Sequence, residues 1–184
     1  NKATLWNADN RVGAFSYTQG EAPRVLTCTP DTAARGRYIG FKVWVNGDGW
    51  WYCARIGELA AYGQAAADEP EVSLIAGKLP TVGTTDTVWE VKSGSAAADK
   101  LTDGQFCTGA ADRVLYELWK HDYNSGSWAA FTFTLDAATA IDRFLIGSET
   151  GSAQYLTDVR VYVSDTLETL YEDSSKVAEA AGVT

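Results

Sequence analysis

Short segments in which apolar and polar residues alternate recur along the chain, and this period of two restricts them to pleated strands. The phenylalanines of FTFTLD (131–136) share one face of such a strand. The valines of VRVYVS (159–164) do the same and leave Arg160 and Tyr162 on the opposite face. Arg37–Val45 alternates in the same way. Several short strands of this kind, separated by long loops, predict an all-β antiparallel sandwich.

The alternation and the turn residues between segments place the individual strands. The predicted strands are 24–28, 37–45, 50–62, 72–75, 88–91, 130–135, 141–146 and 158–163. The run Asn46–Gly49 predicts a hairpin between the second and third of these, because its residues tolerate the positive φ of tight turns. Residues 109–128 are predicted to form a loop region. The only long helix-friendly stretches are the Ala-rich ones, 59–69 and 176–181.

The end of the chain echoes its beginning. TLYEDSSKVA (169–178) follows TLWNADNRVG (4–13) at an offset of 165 residues, about the length of one domain. The identical positions are Thr4 with Thr169, Leu5 with Leu170 and Val12 with Val177. The echo indicates an internal repeat, although three identities in ten also arise between unrelated segments.

Composition limits the possible partners. The 184 residues are 46% hydrophobic, which is enough for one sizeable core. The net charge of −9 argues against nucleic acid and anionic membranes as partners, since both favour clustered Lys and Arg. No apolar run approaches the roughly 20 residues that span a bilayer, and we expect no signal peptide in this stretch of sequence. Because the chain contains no Met, we expect it to be a processed or excised piece.

Three cysteines, Cys28, Cys53 and Cys107, match neither a metal-binding spacing nor a CxxC redox pair. Two interpretations stay open: one disulfide plus one free thiol in an exported protein, or three buried thiols. If a disulfide exists, Cys28 with Cys53 is the favoured pair, because both lie on predicted strands that flank one hairpin region.

Several segments together resemble the discoidin-like galactose-binding family, which includes coagulation-factor C domains and bacterial family 32 carbohydrate-binding modules. The segments that carry the resemblance are KLTDGQFCT (100–108), FTFTLD (131–136), IDRFLIG (141–147), YLTDVRVYVS (155–164), GRYIGFKV (36–43) and ARIGELAAYG (54–63). The resemblance implies a galactose-binding-like, jelly-roll β-sandwich. In the family the last two elements close the domain, whereas here they come first.

This order predicts that the chain has the length of one domain but contains parts of two successive copies of a repeat. Residues 1–63 then correspond to the last third of one copy, 64–71 to a linker and 72–184 to the first two thirds of the next copy. The two pieces either pack together as a circularly permuted sandwich or pair with neighbouring chains. In the second case residues 1–13 and 169–184 compete for one position, which is a route to head-to-tail homo-oligomers.

The resemblance also implies a structural calcium ion (Ca²⁺). The family's calcium ligands correspond in this chain to two side chains, those of Asp103 and Glu58. The resemblance also implies the carbonyls of Leu101 or Lys100 and of Gln105, and the hydroxyl and carbonyl of Thr108. Calcium takes six to eight oxygen ligands at flexible geometry, so this donor set suits it. The alternative is that Asp103 and Gly104 form an ordinary turn while Glu58 is a solvated strand residue.

Aromatic residues concentrate in the predicted loop YELWKHDYNSGSW (116–128). Loops at one end of the sandwich bind glycans in the family, and sugar sites need aromatic faces together with polar side chains. The candidate ligand-binding residues are Trp119, His121, Tyr123, Asn124 and Trp128. The alternative is that these aromatics cap the core.

We expect no catalysis, because the chain has one His and lacks the nucleophile-elbow, zinc-protease and phosphate-loop motifs. The expected function is that of a non-catalytic, calcium-stabilised carbohydrate-binding or adhesive module of a secreted or cell-surface multimodular protein. The alternative is a structural repeat of a surface layer or filament, which assembles head to tail by strand exchange. The expected partners are therefore a glycan or neighbouring copies of the chain.

Overall fold

A computed structural model describes the backbone of residues 13–16, 24–47, 52–63, 71–84, 89–91, 97–105, 116–120, 128–148 and 154–181. It describes side chains in residues 25–44, 56–63, 71–84, 97–105, 128–147 and 158–180. The strands are β1 (Gly13–Ser16), β2 (Arg24–Pro30), β3 (Ala34–Gly47), β4 (Tyr52–Tyr62), β5 (Thr81–Thr84), β6 (Trp89–Val91), β7 (Tyr116–Lys120), β8 (Trp128–Ile141), β9 (Arg143–Ser148), β10 (Gln154–Ser164) and β11 (Lys176–Ala181). Two 3₁₀ turns cover Ala98–Thr102 and Asp173–Ser175.

These strands form two sheets that pack as a sandwich. The six-stranded sheet has the order β1-β2-β9-β4-β7-β6, and the five-stranded sheet has the order β11-β10-β3-β8-β5. Every described strand pair is antiparallel. The predicted all-β antiparallel sandwich is therefore confirmed.

The core lies between the sheets and is built from alternate positions of the strands. Phe41 of β3 meets Phe133 of β8 edge to face, with ring centroids 6.0 Å apart. It also meets Phe144 of β9, in the opposite sheet, at 6.1 Å. Each such ring contributes about 1.5–3 kcal/mol by leaving water. The remaining large, fully buried side chains are Leu26, Ile39, Ile56, Leu59, Ile75, Leu101, Phe131 and Ile141.

The predicted hairpin between the second and third strands is wrong. β3 pairs with β8 and β10 in the five-stranded sheet, whereas β4 pairs with β7 and β9 in the six-stranded sheet. The chain therefore crosses from one sheet to the other after Gly47. Turn-forming residues permit a sharp change of direction, but they do not determine whether the next strand returns to the same sheet.

In both sheets a strand from residues 1–63 lies between two strands from residues 72–184. β3 lies between β10 and β8, and β4 lies between β9 and β7. The register of β3 on β8 runs from Ala34 opposite Ile141 to Trp44 opposite Trp128. Strands from residues 1–63 and 72–184 thus meet within this single chain. Residues 64–70 lie outside the described residues, and the domain boundaries stay a prediction.

Several local predictions differ from the structure. Residues 74–77 form a turn where a strand over 72–75 was expected, because the backbone bonds from Ala76 to Ser73 and from Lys78 to Ile75 close it. The predicted loop 109–128 contains β7 and ends at the first residue of β8. β1, β5 and β11 lie outside the predicted strands, and the Ala-rich 176–181 is strand β11. β1 and β11 occupy edges of different sheets.

Cys28 is a buried free thiol, so its predicted disulfide with Cys53 is wrong. Cys28 of β2 and Ala61 of β4 both lie opposite Phe144, and Cys53 is eight residues from Ala61 along β4. At about 3.3 Å per residue this separates the two cysteines by roughly 25 Å, far beyond disulfide reach. Burial, and then the nearby Asp31, raise the pKa of Cys28 to about 12.

Candidate functional site

A β-bulge in β4 turns Glu58 away from the core. The register against β9 shifts between Ile56, opposite Ser148, and Glu58, opposite Gly147. One extra residue at Gly57 lets Ile56 and Leu59 both face the core, and Glu58 points to the other side of the strand. Glu58 is nevertheless only 1% exposed. The expectation that it is a solvated strand residue is therefore wrong.

The segment that covers Glu58 is the 3₁₀ turn Ala98–Thr102 with the residues that follow it. Leu101 is fully buried and anchors this turn. Thr102 fastens the turn to the neighbouring loop, since its Oγ1 donates to the Lys78 carbonyl at 3.0 Å and its carbonyl accepts from the Gly77 amide at 2.9 Å. The turn is thereby held against β4.

Glu58 and the turn meet directly. The Gly104 amide donates to Glu58 Oε2 at 3.2 Å, and Gly104 has a φ of 79°, which favours glycine. Asp103 Oδ1 accepts from the Gln105 amide at 3.0 Å, and Asp103 Oδ2 pairs with Lys100 Nζ at 3.2 Å. We call Glu58 and residues 100–105 the acidic site. It joins Glu58 of the first predicted piece to a turn of the second.

The acidic site holds a carboxyl group that resists ionisation. Burial raises the pKa of Glu58, the hydrogen bond from the Gly104 amide lowers it, and the charge of Asp103 raises it again. The result is a pKa of about 8, compared with an ordinary value of 4.5. A nearby cation would favour the ionised form and reverse this shift.

The donor set consists of oxygens, which are the ligands that calcium prefers. Glu58 and Asp103 lie together, and Leu101 and Gln105 flank Asp103 on the same turn. Thr108 lies outside the described residues. Within the described part of the chain, no group of three or more His, Cys, Asp or Glu side chains is placed to hold a metal. Backbone oxygens would therefore have to supply most ligands of a cation here.

The predicted ligand-binding residues are divided between the two sheets. Trp119 lies in β7 of the six-stranded sheet, opposite Cys53. Trp128 begins β8 of the five-stranded sheet, opposite Trp44, and Lys42 Nζ lies 3.9 Å from its ring centroid. His121, Tyr123 and Asn124, between these strands, lie outside the described residues.

A second cluster surrounds Lys42, and Trp128 is its one member among the predicted site residues. It lies on the face of the five-stranded sheet that points away from the core, and we call it the cationic face. Its members are Lys42, Trp44, Trp128, Arg160 and Tyr171. The alternation of β3 and β10 is the signal that finds it, because it puts Lys42, Trp44 and Arg160 opposite the core residues.

No protein-family model, curated protein or solved structure matches the chain. In the residues that the structure describes, no helix has the length and apolarity needed to cross a membrane.

Proposed function

We propose that the chain is a non-catalytic, calcium-stabilised carbohydrate-binding or adhesive module of a secreted or cell-surface protein. The observation that carries the proposal is the meeting of Glu58 with the Asp103 turn, 46 residues apart in sequence. The sequence resemblance to the discoidin-like family links this same pair of residues to a structural cation.

Calcium would stabilise the acidic site for an electrostatic reason. Two carboxylates about 4 Å apart repel by roughly 4 kcal/mol at an effective dielectric near 20. A divalent cation converts this repulsion into attraction and favours ionised Glu58. The side chains of Glu58 and Asp103, with carbonyls of residues 100–105, would hold the ion. Its role would be to fasten the turn to β4.

A calcium titration tests this part of the proposal. At 100 times its dissociation constant, calcium should add about 2.7 kcal/mol to the free energy of unfolding, and the melting temperature should rise by roughly 5–10 °C. Asp103→Asn should abolish the rise. Asp136→Asn is the matched control, because Asp136 also pairs with a lysine at 3.2 Å but is 97% exposed and lies outside the acidic site. A melting temperature that chelator leaves unchanged would rule out the ion.

Carbohydrate binding is supported by the aromatic residues near the 121–127 connection. Indole faces provide the apolar platforms on which sugar rings stack. The test is binding to a glycan array, followed by affinity measurements with Trp119→Ala and Trp128→Ala. We expect both variants to stay folded and Trp128→Ala to lose binding. An array without a single bound glycan would contradict this function.

The second candidate is a structural repeat that assembles through its edge strands. The 165-residue offset carries Gly13–Ser16, which is β1, onto residues 178–181 of β11, so the offset relates two edge strands. Exchange between the two positions would be costly, because Phe15 would replace Ala180, which is 5% exposed. Ala14 would also replace Glu179, so that the ion pair between Glu179 and Arg160 would be lost. A concentration-independent monomer in light scattering would exclude this candidate.

A further inference from the structure

The register of the five-stranded sheet arranges the cationic face in rows. Trp128 of β8 lies opposite Trp44 of β3. In the next row, Lys42 of β3 lies opposite Arg160 of β10, and Arg160 lies opposite Glu179 of β11. A pair of indoles therefore stands beside a pair of cations on one surface.

The cations of this face differ in how their charge is compensated. Arg160 Nε donates to Glu179 Oε1 at 2.8 Å, and Lys176 Nζ donates to Glu179 Oε2 at 2.7 Å. Glu179 thus forms ion pairs with both cations. Lys42 forms no ion pair with any carboxylate among the described side chains, and this includes Asp158, which lies opposite Trp44.

Aromatic rings are what surround Lys42 instead. Its ammonium lies 3.9 Å from the ring centroid of Trp128, 5.1 Å from that of Trp44 and 5.9 Å from that of Tyr171. Burial, and then the charge of Arg160, lower the pKa of Lys42. A half-buried ammonium beside a second cation favours an anion, and the rings provide attraction but no negative charge.

Tyr171, one aromatic member of the cationic face, is fixed in place. Tyr171 shares a hydrogen bond of 2.6 Å with Thr132 Oγ1, packs edge to face on Tyr162 at 5.2 Å and covers Gly40. The loop that carries Tyr171 is tied back by the Ser164, Thr166 and Thr169 hydroxyls, which are joined at 2.8 Å. The aromatic side chain next to Lys42 is therefore preorganised.

We propose that the cationic face binds a carboxylate-bearing sugar, a uronic acid unit of an acidic glycan. The carboxylate meets Lys42, with Arg160 nearby, and the sugar ring packs on the parts of the Trp44 and Trp128 indoles that these two cations leave uncovered. Charge complementarity selects the acidic sugar, and the adjacent indoles favour a pyranose ring over a flexible peptide carboxylate. This inference rests on the proposed carbohydrate-binding function and names the class of its ligand.

The test is calorimetry of the full chain with an oligogalacturonate and with its methyl ester, which has the same sugar rings without the charge. We expect the acid to bind at least tenfold more tightly than the ester. Lys42→Gln should remove this difference, and Lys42→Arg should retain most of it. Lys78→Gln is the matched control, because Lys78 pairs with exposed Asp136 on another part of the molecule. Circular dichroism verifies that each variant is folded.

The outcomes separate the inference from the function on which it rests. Equal affinity for the acid and the ester, or an unchanged preference in Lys42→Gln, overturns the acidic-sugar site. Binding only to neutral glycans also overturns it, while carbohydrate binding itself stands. A preference for poly-glutamate over the oligogalacturonate also overturns the acidic-sugar site, because the ligand is then an acidic peptide. Absence of binding to every glycan overturns the proposed function together with the site.

Discussion

The acidic site and the cationic face lie on different sheets, and each contains an ionisable group that forms no ion pair with any of the side chains the structure describes. Glu58 is buried beside Asp103, and its pKa is raised to about 8, first by burial. Lys42 is half-buried beside Arg160, and its pKa is lowered, first by burial. Both shifts favour the neutral form of the group.

The two sites differ in what compensates for the missing charge. At the acidic site a backbone amide, that of Gly104, donates to the carboxylate, so the geometry is fixed by the chain itself. At the cationic face the support comes from aromatic side chains around Lys42. A site built on backbone suits an ion of fixed size, whereas a site built on side chains adapts to a larger ligand. The following predictions test this contrast.

The largest expected effect is that of Glu58→Gln on the pH dependence of stability in the presence of chelator. The folded state of the wild type holds the Glu58 proton more tightly than the unfolded state does, because the folded pKa of about 8 exceeds 4.5. Its stability should therefore fall as pH rises from about 4.5 to 8. The variant should lack this loss, which is on the order of 4–5 kcal/mol at about 1.36 kcal/mol per pKa unit. Urea unfolding at several pH values measures it, and parallel curves for the two proteins would contradict it.

A smaller effect is expected from Gly40→Ala on the cationic face. A Cβ at Gly40 would lie 2.7 Å from Tyr171 Cε1, so the ring has to move. We expect a loss of about 2 kcal/mol in the free energy of unfolding. Gly83→Ala in β5 is the control, because a Cβ there meets nothing within 4 Å. Equal stability of the two variants in urea would show that Tyr171 is not fixed.

The smallest effect is expected from Glu179→Gln, which removes the carboxylate shared by Arg160 and Lys176. Burial raises the pKa of Glu179, but Lys176 and Arg160 outweigh it and lower the pKa below 4.5. The ion pairs should therefore stabilise the fold above about pH 4.5 and lose this effect as pH falls further. We expect a loss of about 0.5–1 kcal/mol at pH 7, since the pairs are partly exposed. A similar loss at pH 2 and pH 7 would contradict an ionic origin.

The alternation of residues predicted the fold class and most strand positions, because burial of every second residue is a local property of the sequence. Strand partners were not predictable in this way. The residues after β3 mark a turn equally well for a hairpin and for a crossing between sheets. β11 was missed because alanines favour helices, yet Ala178 and Ala180 fit the narrow space beside β10 and are buried there.

The acidic site was partly predictable. Glu58 and Asp103 were selected through the family resemblance, and the structure brings them together. The burial of Glu58 depends on the bulge at Gly57 and on the turn packed over it, and neither is visible in residue spacing. Lys100 was considered only for its carbonyl, whereas its ammonium pairs with Asp103. Alternation puts Lys42, Trp44 and Arg160 on the outer face of the sheet, but their meeting with Trp128 and Tyr171 depends on strand register and on the loop that carries Tyr171, which the sequence does not reveal.

The position of β3 and β4 between later strands has a consequence for synthesis on the ribosome. β3 pairs only with β8 and β10, so its partners are complete when residue 164 has been added. At about 5–20 residues per second, roughly 5 to 25 seconds pass between the addition of Gly47 and that point. Until β7 and β8 have been added, β4 and β3 have no partner strand, which makes them natural targets for chaperones that bind nascent chains.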